Sequence, residues 1–443
     1  MNLLNLKQSF RNLERNKIYS IINIAGIGMS TAFVLLVAAY VHNAMTLDHY
    51  SAEVKQLYRI EMNNLWSTEE PAAKKGFFDR LARGADEKLM LNTPVILAGD
   101  LKKNFPEIKD VCRITTFYDP VVRLSDRALK EGQGAVGLVD RNFFSVFGLS
   151  LVNGNAANAF LNNNSAVITE SAAKKYFGME NPIGRVIRIN DDEGQYIVSA
   201  IAKDFPSGSS IRFNLMIPVE GSTSFAYQLK QGLNTFSHLT IFNLQPKVNI
   251  TDFRRKLKNF GNVYFGSFKE SLSKSFQAPR PSEINLSFRP FSEGHYNISS
   301  PWFYFTDVKA MYQLLLLAVI ALVIACLNYV LLSLSRVAAR SHEAGVRKTV
   351  GAGWKHIIHL FLTETQVLVL LSVIFGFILA LVALPYFSAL TGVDLAAAEI
   401  VNWEVIATGL ALCIVLTFIA GIYPALKMAG ISPTEHPEQI RHL

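Results

Sequence analysis

The chain has 443 residues, of which 50% are hydrophobic and 18% charged, with a formal net charge of +8. This composition excludes a disordered polyelectrolyte, and three cysteines are too few for a disulfide scaffold. The apolar residues are concentrated in four long runs, arranged one and then three, which excludes most readings as a soluble enzyme.

Residues 1–17 read as an amphipathic helix on the cytoplasmic surface. Leu3, Leu4, Leu6, Phe10 and Leu13 fall near one face, with Lys7, Arg11 and Arg15 among the polar positions. Residues 18–42 are the first predicted span. The run is long and no A-x-A site follows it, so it reads as a retained anchor and not as a cleaved leader. Gly26 and Gly28 allow a neighbouring helix to approach, and Gly26 with Ser30 and Thr31 gives a small-residue face. Gly26 and Ser30, four apart, are the candidate contact between two copies of the span.

Residues 43–307 have ordinary globular composition and alternate strand and helix signals. Strands are predicted at Leu57–Met62, Val111–Tyr118, Ala166–Thr169, His238–Leu244 and Ile284–Phe291. Val186–Ile189 and Tyr196–Ile201 form a hairpin across the turn Asp191–Gly194. Helices are predicted at Thr93–Phe105, Asn142–Phe147, Glu170–Phe177 and Thr251–Lys274, and segments 64–92 and 220–236 are expected to be irregular and mobile. The pattern describes a two-lobed α+β domain. Its mildly basic charge is spread along the sequence, which fits a solvated surface and not a nucleic-acid groove. Cys112 is its one cysteine, so no internal disulfide is expected.

The remaining spans are predicted at 308–335, 362–388 and 402–426, joined by a charged segment, 336–361, and a short loop, 389–401. A tail, 427–443, follows. Arg336, Arg340, Arg347, Lys348 and Lys355 lie in the charged segment, whereas the short loop has no Lys or Arg. With Lys7, Arg11, Arg15 and Lys17, this bias places both termini in the cytoplasm and the large domain outside. The expected fold class is therefore a membrane protein with four transmembrane α-helices (1+3) and a large extracytoplasmic α+β domain between helices 1 and 2.

No P-loop, H-E-x-x-H, paired Cys-x-x-Cys or G-x-S-x-G occurs in the sequence. His356 and His359 lack a third ligand, and Asp48, His49 and Ser51 make no persuasive triad. No catalytic residue, metal or cofactor is expected. Glu343 and Arg347, spaced i, i+4, support a short helix in the charged segment, ended by Gly351 and Gly353, and the next helix is expected to start near Trp354 and lead into the membrane. The spacing alone allows either a plain positive-inside loop or a docking helix for a cytoplasmic partner.

The stretch Glu343-Ala-Gly345-Val-Arg347-Lys348-Thr-Val-Gly351-Ala352 resembles the E-x-G-[IV]-R-[KR]-x-[LV]-G-A pattern of FtsX/MacB-type ABC transporter permeases. Phe361–Glu364 is similar to that family's opening of the third span. In the large domain, Phe143–Gly148, Val167–Ser171, Phe177-Gly178, Asn181–Gly184 and Ile201–Pro206 resemble the MacB-like periplasmic core, and Ile431–Glu435 resembles the usual ending of the last span. The resemblance implies a permease subunit of the inner membrane, with residues 308–435 as an FtsX-like permease domain. It implies coupling through Glu343, Gly345, Arg347, Lys348 and Gly351 to a separate cytoplasmic ATPase, since this chain carries no ATP-binding motif. It further implies a second permease chain, identical or paralogous, contact with membrane lipid, a periplasmic adaptor or substrate protein, and work on a lipoprotein, peptide or hydrophobic compound. A receptor or scaffold that regulates a periplasmic partner such as a cell-wall hydrolase is the alternative.

Overall fold

The computed structural model describes residues 11–63, 89–153, 158–190, 194–206, 208–275, 284–296, 306–336, 346, 349–351, 353–393 and 395–430. They divide into two compact units, one formed by the two ends of the chain and one by Thr46–Lys309.

The terminal unit holds four helices long and apolar enough to cross a membrane. They are Lys17–Thr46 (span 1), Val308–Ser335 (span 2), Trp354–Thr391 (span 3) and Trp403–Gly430 (span 4). Each satisfies its backbone hydrogen bonds internally, as hydrocarbon demands. The helix of span 3 begins at Trp354, as the sequence places it, and carries Lys355, His356 and His359 ahead of the apolar stretch predicted from 362. Gly353, the residue preceding it, is extended and marks its start. Residues 11–15 are helical, continuing toward span 1, and the rest of the predicted amphipathic helix lies outside the described residues.

The inserted unit is built on one continuous sheet. Its strands are β1 (Leu57–Asn63), β2 (Leu89–Met90), β3 (Asn92–Pro94), β4 (Ile108–Thr116), β5 (Val121–Arg123), β6 (Ala128–Lys130) and β7 (Val136–Val139). These are followed by β8 (Leu151–Asn153), β9 (Ser165–Thr169), β10 (Val186–Ile189), β11 (Gln195–Ala202), β12 (Leu215–Pro218), β13 (Phe236–Leu244) and β14 (Leu286–Pro290). The hydrogen-bonded order is β14-β1-β13-β4-β7-β12-β9-β11-β10-β5-β6, with β2 on β1, β3 on β13 and β8 on β11. Most pairs are antiparallel, but β7 with β12 and β9 with β11 are parallel. The middle strands β7, β9 and β12 are buried along their whole length, and their near-continuous apolar sequences suit burial on both faces. The hairpin strands β10 and β11 show clean in-out alternation.

Two lobes share this sheet. At the β14 end, helices Leu97–Asn104 and Ile250–Tyr264 cover a core that contains Ile60, Leu101, Phe242, Phe253, Leu257 and Phe288. At the β6 end, helix Glu170–Phe177 packs over Val122, Ile168, Ile187, Ile189 and Val198. Between them, Phe143, Phe144 and Phe147 of a short helix anchor a third core with Phe213 and Phe291. That helix stops at Gly148, whose φ of 64° favours a residue without Cβ.

Within the inserted unit the structure departs from the sequence expectations in several places. Residues 92–94 form β3, so the predicted helix there starts only at Leu97. The long helix predicted over 251–274 is broken at Phe265 into Ile250–Tyr264 and Gly266–Ser275, because Phe265 turns into the core. Segment 220–236, expected to be irregular, contains helix Phe225–Gln231. Of segment 64–92, residues 64–88 lie outside the described residues, while β2 and the start of β3 lie in its remainder.

Candidate functional site

The candidate site is the packed bundle of spans and the charged segment that leads from span 2 to span 3. Spans 1 and 3 meet through glycine. A Cβ on Gly28 would lie 2.5 Å from a Phe375 ring carbon and 3.1 Å from the Ser372 carbonyl oxygen. A Cβ on Gly376 would lie 2.7 Å from the Gly28 carbonyl oxygen and 2.9 Å from Thr31 Cβ. Small residues thus let the two backbones touch, which replaces the hydrophobic drive that lipid cannot supply.

Polar side chains join the same helices. The Ser30 hydroxyl donates to the Ala321 carbonyl of span 2 at 3.2 Å. The Tyr329 hydroxyl of span 2 is 2.9 Å from Thr365 Oγ1 of span 3. At the same end of the bundle, the Arg336 guanidinium lies 4.5 Å above the Tyr19 ring of span 1. At the opposite end, His42 Nε2 is 2.6 Å from Asn402 Nδ2, and Glu399 lies 4.0 Å away.

Of the predicted coupling residues, Glu343, Gly345, Arg347 and Lys348 lie outside the described residues. Gly351 is described and has a φ of 98°, a conformation side chains disfavour. It follows a helical turn in which the Val350 amide donates to Val346 at 3.2 Å. Val346, Val350 and Trp354 around it are exposed apolar residues. Of the predicted interchain pair, Gly26 has open space where a Cβ would stand, whereas Ser30 is engaged by span 2 of its own chain. Gly28 and Thr31, from the same small-residue stretch, make the close intrachain contact. No group of three or more His, Cys, Asp or Glu able to hold a metal occurs among the described residues.

The inserted unit carries buried charge networks that the sequence reading missed. Arg113 on β4 donates to Asp140 and Glu220, each at 2.6 Å. It also stacks over the Phe225 ring at 5.6 Å. Burial raises the Asp140 carboxyl against the pull of Arg113, and burial with Arg113 nearby lowers the His238 imidazole to about 3. Glu131 is buried and accepts from Lys175, Tyr176 and Asn214 at 2.6, 2.9 and 2.8 Å. Arg59 is fully buried, and burial lowers its guanidinium against the pull of Glu61, with which it pairs at 2.5 Å. Cys112 is buried, and desolvation pushes its thiol well up, away from reactivity. Arg113 and Glu220 are 107 residues apart and Lys175 and Glu131 are 44 apart, so no local spacing announces those two pairs.

Four apolar helices in a one-plus-three arrangement, with an α+β unit inserted after the first, define a multi-pass membrane protein with a large extramembrane domain. Residues 20–260 match the family described as the MacB-like periplasmic core domain, and residues 315–433 match the FtsX-like permease C-terminal family. The chain belongs to the FtsX/MacB-like ABC transporter permeases, inner-membrane proteins of the MacB type. The first match begins inside span 1. The chain is 23% identical over 316 residues to the uncharacterized ABC transporter permease YknZ of Bacillus subtilis, covering 69% of this chain and 70% of that one. It is 32% identical over 120 residues to the macrolide export ATP-binding/permease protein MacB of Sodalis glossinidius, covering 27% of this chain and 18% of that protein. Among solved structures, it is similar to a domain of a putative permease from Porphyromonas gingivalis. That match has a TM-score of 0.41 and 17% identity, covering 54% of this chain and 91% of that one. The periplasmic region of MacB from Actinobacillus actinomycetemcomitans matches with a TM-score of 0.35 and 16% identity, covering 56% of this chain and 92% of that one.

Proposed function

We propose that the chain is the permease half of an ABC transporter that transmits force instead of conducting a solute. A separate cytoplasmic ATPase closes on ATP, the segment 336–361 receives that motion, and the spans carry it to the periplasmic domain. There the domain moves a lipoprotein, peptide or hydrophobic compound. Both termini lie in the cytoplasm, and two permease chains work as a pair, with Gly26 on the face they share and lipid around them. Glu343, Gly345, Arg347, Lys348 and Gly351 form the contact with the ATPase, and a periplasmic adaptor or substrate protein engages the outer domain.

The observation that carries this reading is the character of the bundle. Its charged groups sit toward helix ends: Lys17, Lys309, Lys355, Glu364, Glu404 and Lys427. A hydrophilic conduit needs ionisable groups near the middle of the spans. Here the described middle is Gly28 against Gly376, with Leu368 and Val369 buried around it. Such a bundle suits transmission of a shape change.

The test is co-purification of the detergent-solubilised chain with an ABC ATPase, followed by ATPase assays in nanodiscs with and without the permease. Stable association and altered turnover are expected. A chain that binds a periplasmic ligand but retains no ATPase under any nucleotide condition contradicts the reading.

A further inference from the structure

Span 1 ends at Thr46, and the residues that follow it are held tightly within the inserted unit. Leu47 and Asp48 are buried. Asp48 adopts a φ of 60°, uncommon for a residue with a side chain. Its amide donates to the Gly208 carbonyl at 2.7 Å. Its carboxyl accepts from the Ser210 amide at 2.8 Å and from the Ser210 hydroxyl at 2.5 Å. Ser209 and Ser210 are buried too, the Ser209 hydroxyl donates to the Ile211 carbonyl at 2.8 Å, and Arg212 Nε donates to the Ser209 carbonyl at 3.2 Å. The first residues of the unit are therefore fastened to segment 208–212, which leads directly into β12 at the middle of the sheet.

A carboxyl is a costly choice at this position. An asparagine offers one acceptor to the Ser210 amide and one donor to the Ser210 oxygen without burying a charge. The charges that face Asp48 are the Arg59 guanidinium of β1 and the Arg212 guanidinium of segment 208–212. Both favour the carboxylate but less than burial opposes it, and the group titrates at about 7. Tyr50 also faces it. The neighbouring His49 ring nitrogen Nδ1 lies 2.9 Å from the Leu47 carbonyl.

We infer that Asp48 is the positioning residue of the domain's first joint, and that the proton on its carboxyl sets how firmly the joint holds, an inference that rests on the coupling role proposed above. The protonated acid keeps both contacts: its carbonyl oxygen accepts from the Ser210 amide and its O–H donates to the Ser210 oxygen. The ionised form also makes both contacts but leaves a charge buried. An opened joint returns the carboxyl to its ordinary value of 3.8, while the closed joint holds it at about 7. The closed form thus binds the proton more tightly. Its hold is complete below pH about 4, weakens as pH rises to about 7, and is constant above that.

Hydrogen exchange at the Asp48 and Ser210 amides reads the joint in the full chain in lipid nanodiscs, after correction for intrinsic exchange. Between pH 5.5 and 7 the opening constant should rise about 15-fold, and it should level off about one pH unit higher. Asp48→Asn should stay near the low-pH value throughout. Ser210→Ala should keep the pH dependence and move its plateau to higher pH, because the carboxylate loses a donor. A flat wild-type profile, or an Asn variant that opens more than wild type at pH 8, overturns the inference. With the partner ATPase added, its stimulation should follow the same curve in the wild type and be flat in Asp48→Asn. Failure of the ATPase to engage the wild type at any pH contradicts the coupling role, while the exchange profile still decides the joint.

Discussion

Replacing Gly376 by alanine is the sharpest probe of how spans 1 and 3 are joined. The added methyl would meet the Gly28 carbonyl oxygen at 2.7 Å, Thr31 Cβ at 2.9 Å and the Ala32 amide nitrogen at 3.2 Å. Two of these atoms are backbone and the third belongs to a β-branched side chain on a helix, so none can swing aside. The helices must separate by several tenths of an ångström, and overpacking of this kind costs about 1–3 kcal/mol. Gly409 of span 4 supplies the control, because a methyl there meets only Leu35 Cδ2 at 3.7 Å, an ordinary contact. Gly409→Ala should be neutral or slightly stabilising. Reversible unfolding of the full chain in bicelles, titrated with dodecyl sulfate, gives both free energies on one scale. Equal stability of the two variants would refute the claim that the Gly28–Gly376 contact holds the bundle.

Arg113→Ala should destabilise the periplasmic domain by about 3–5 kcal/mol, since Asp140 and Glu220 lose their shared buried cation; thermal unfolding followed by tryptophan fluorescence measures it. A cysteine introduced at Ser67 should react with an impermeant thiol reagent in cells with a permeabilised outer membrane, and one at Ser341 only after the inner membrane is opened; the reverse pattern would invert the topology. Gly26→Leu should weaken pairing of two permease chains by about 1–3 kcal/mol while leaving each chain folded, because the space at Gly26 is open within its own chain; crosslinking in native membranes reads the dimer fraction, and an unchanged fraction places the shared face elsewhere.

The membrane architecture was legible because hydrocarbon permits few solutions: a run of about 20 apolar residues must be a helix. The helix start near Trp354, ahead of the apolar run, was legible too. Lys355, His356 and His359 look like an interfacial loop in a hydropathy profile, yet nothing in Trp354–Phe361 breaks a helix. In the periplasmic domain, the hairpin of β10 and β11 was legible from alternation and its turn. Strands β5, β6, β7 and β12 were not, being three or four residues long, and β7 and β12 are buried on both faces and carry no period of two. The glycine that ends the turn before span 3 was visible in the sequence. The Asp48–Ser210 joint was not, because its halves are 162 residues apart and each is unremarkable alone.

The central claim is that ATP-driven motion enters this chain through the segment between spans 2 and 3. The direct measurement is ATPase turnover of the reconstituted complex with wild-type permease and with the Arg347→Glu, Lys348→Glu double variant, both confirmed as folded and inserted. The account predicts that the wild type changes ATPase turnover and that the double variant does not. Equal stimulation by both would contradict it.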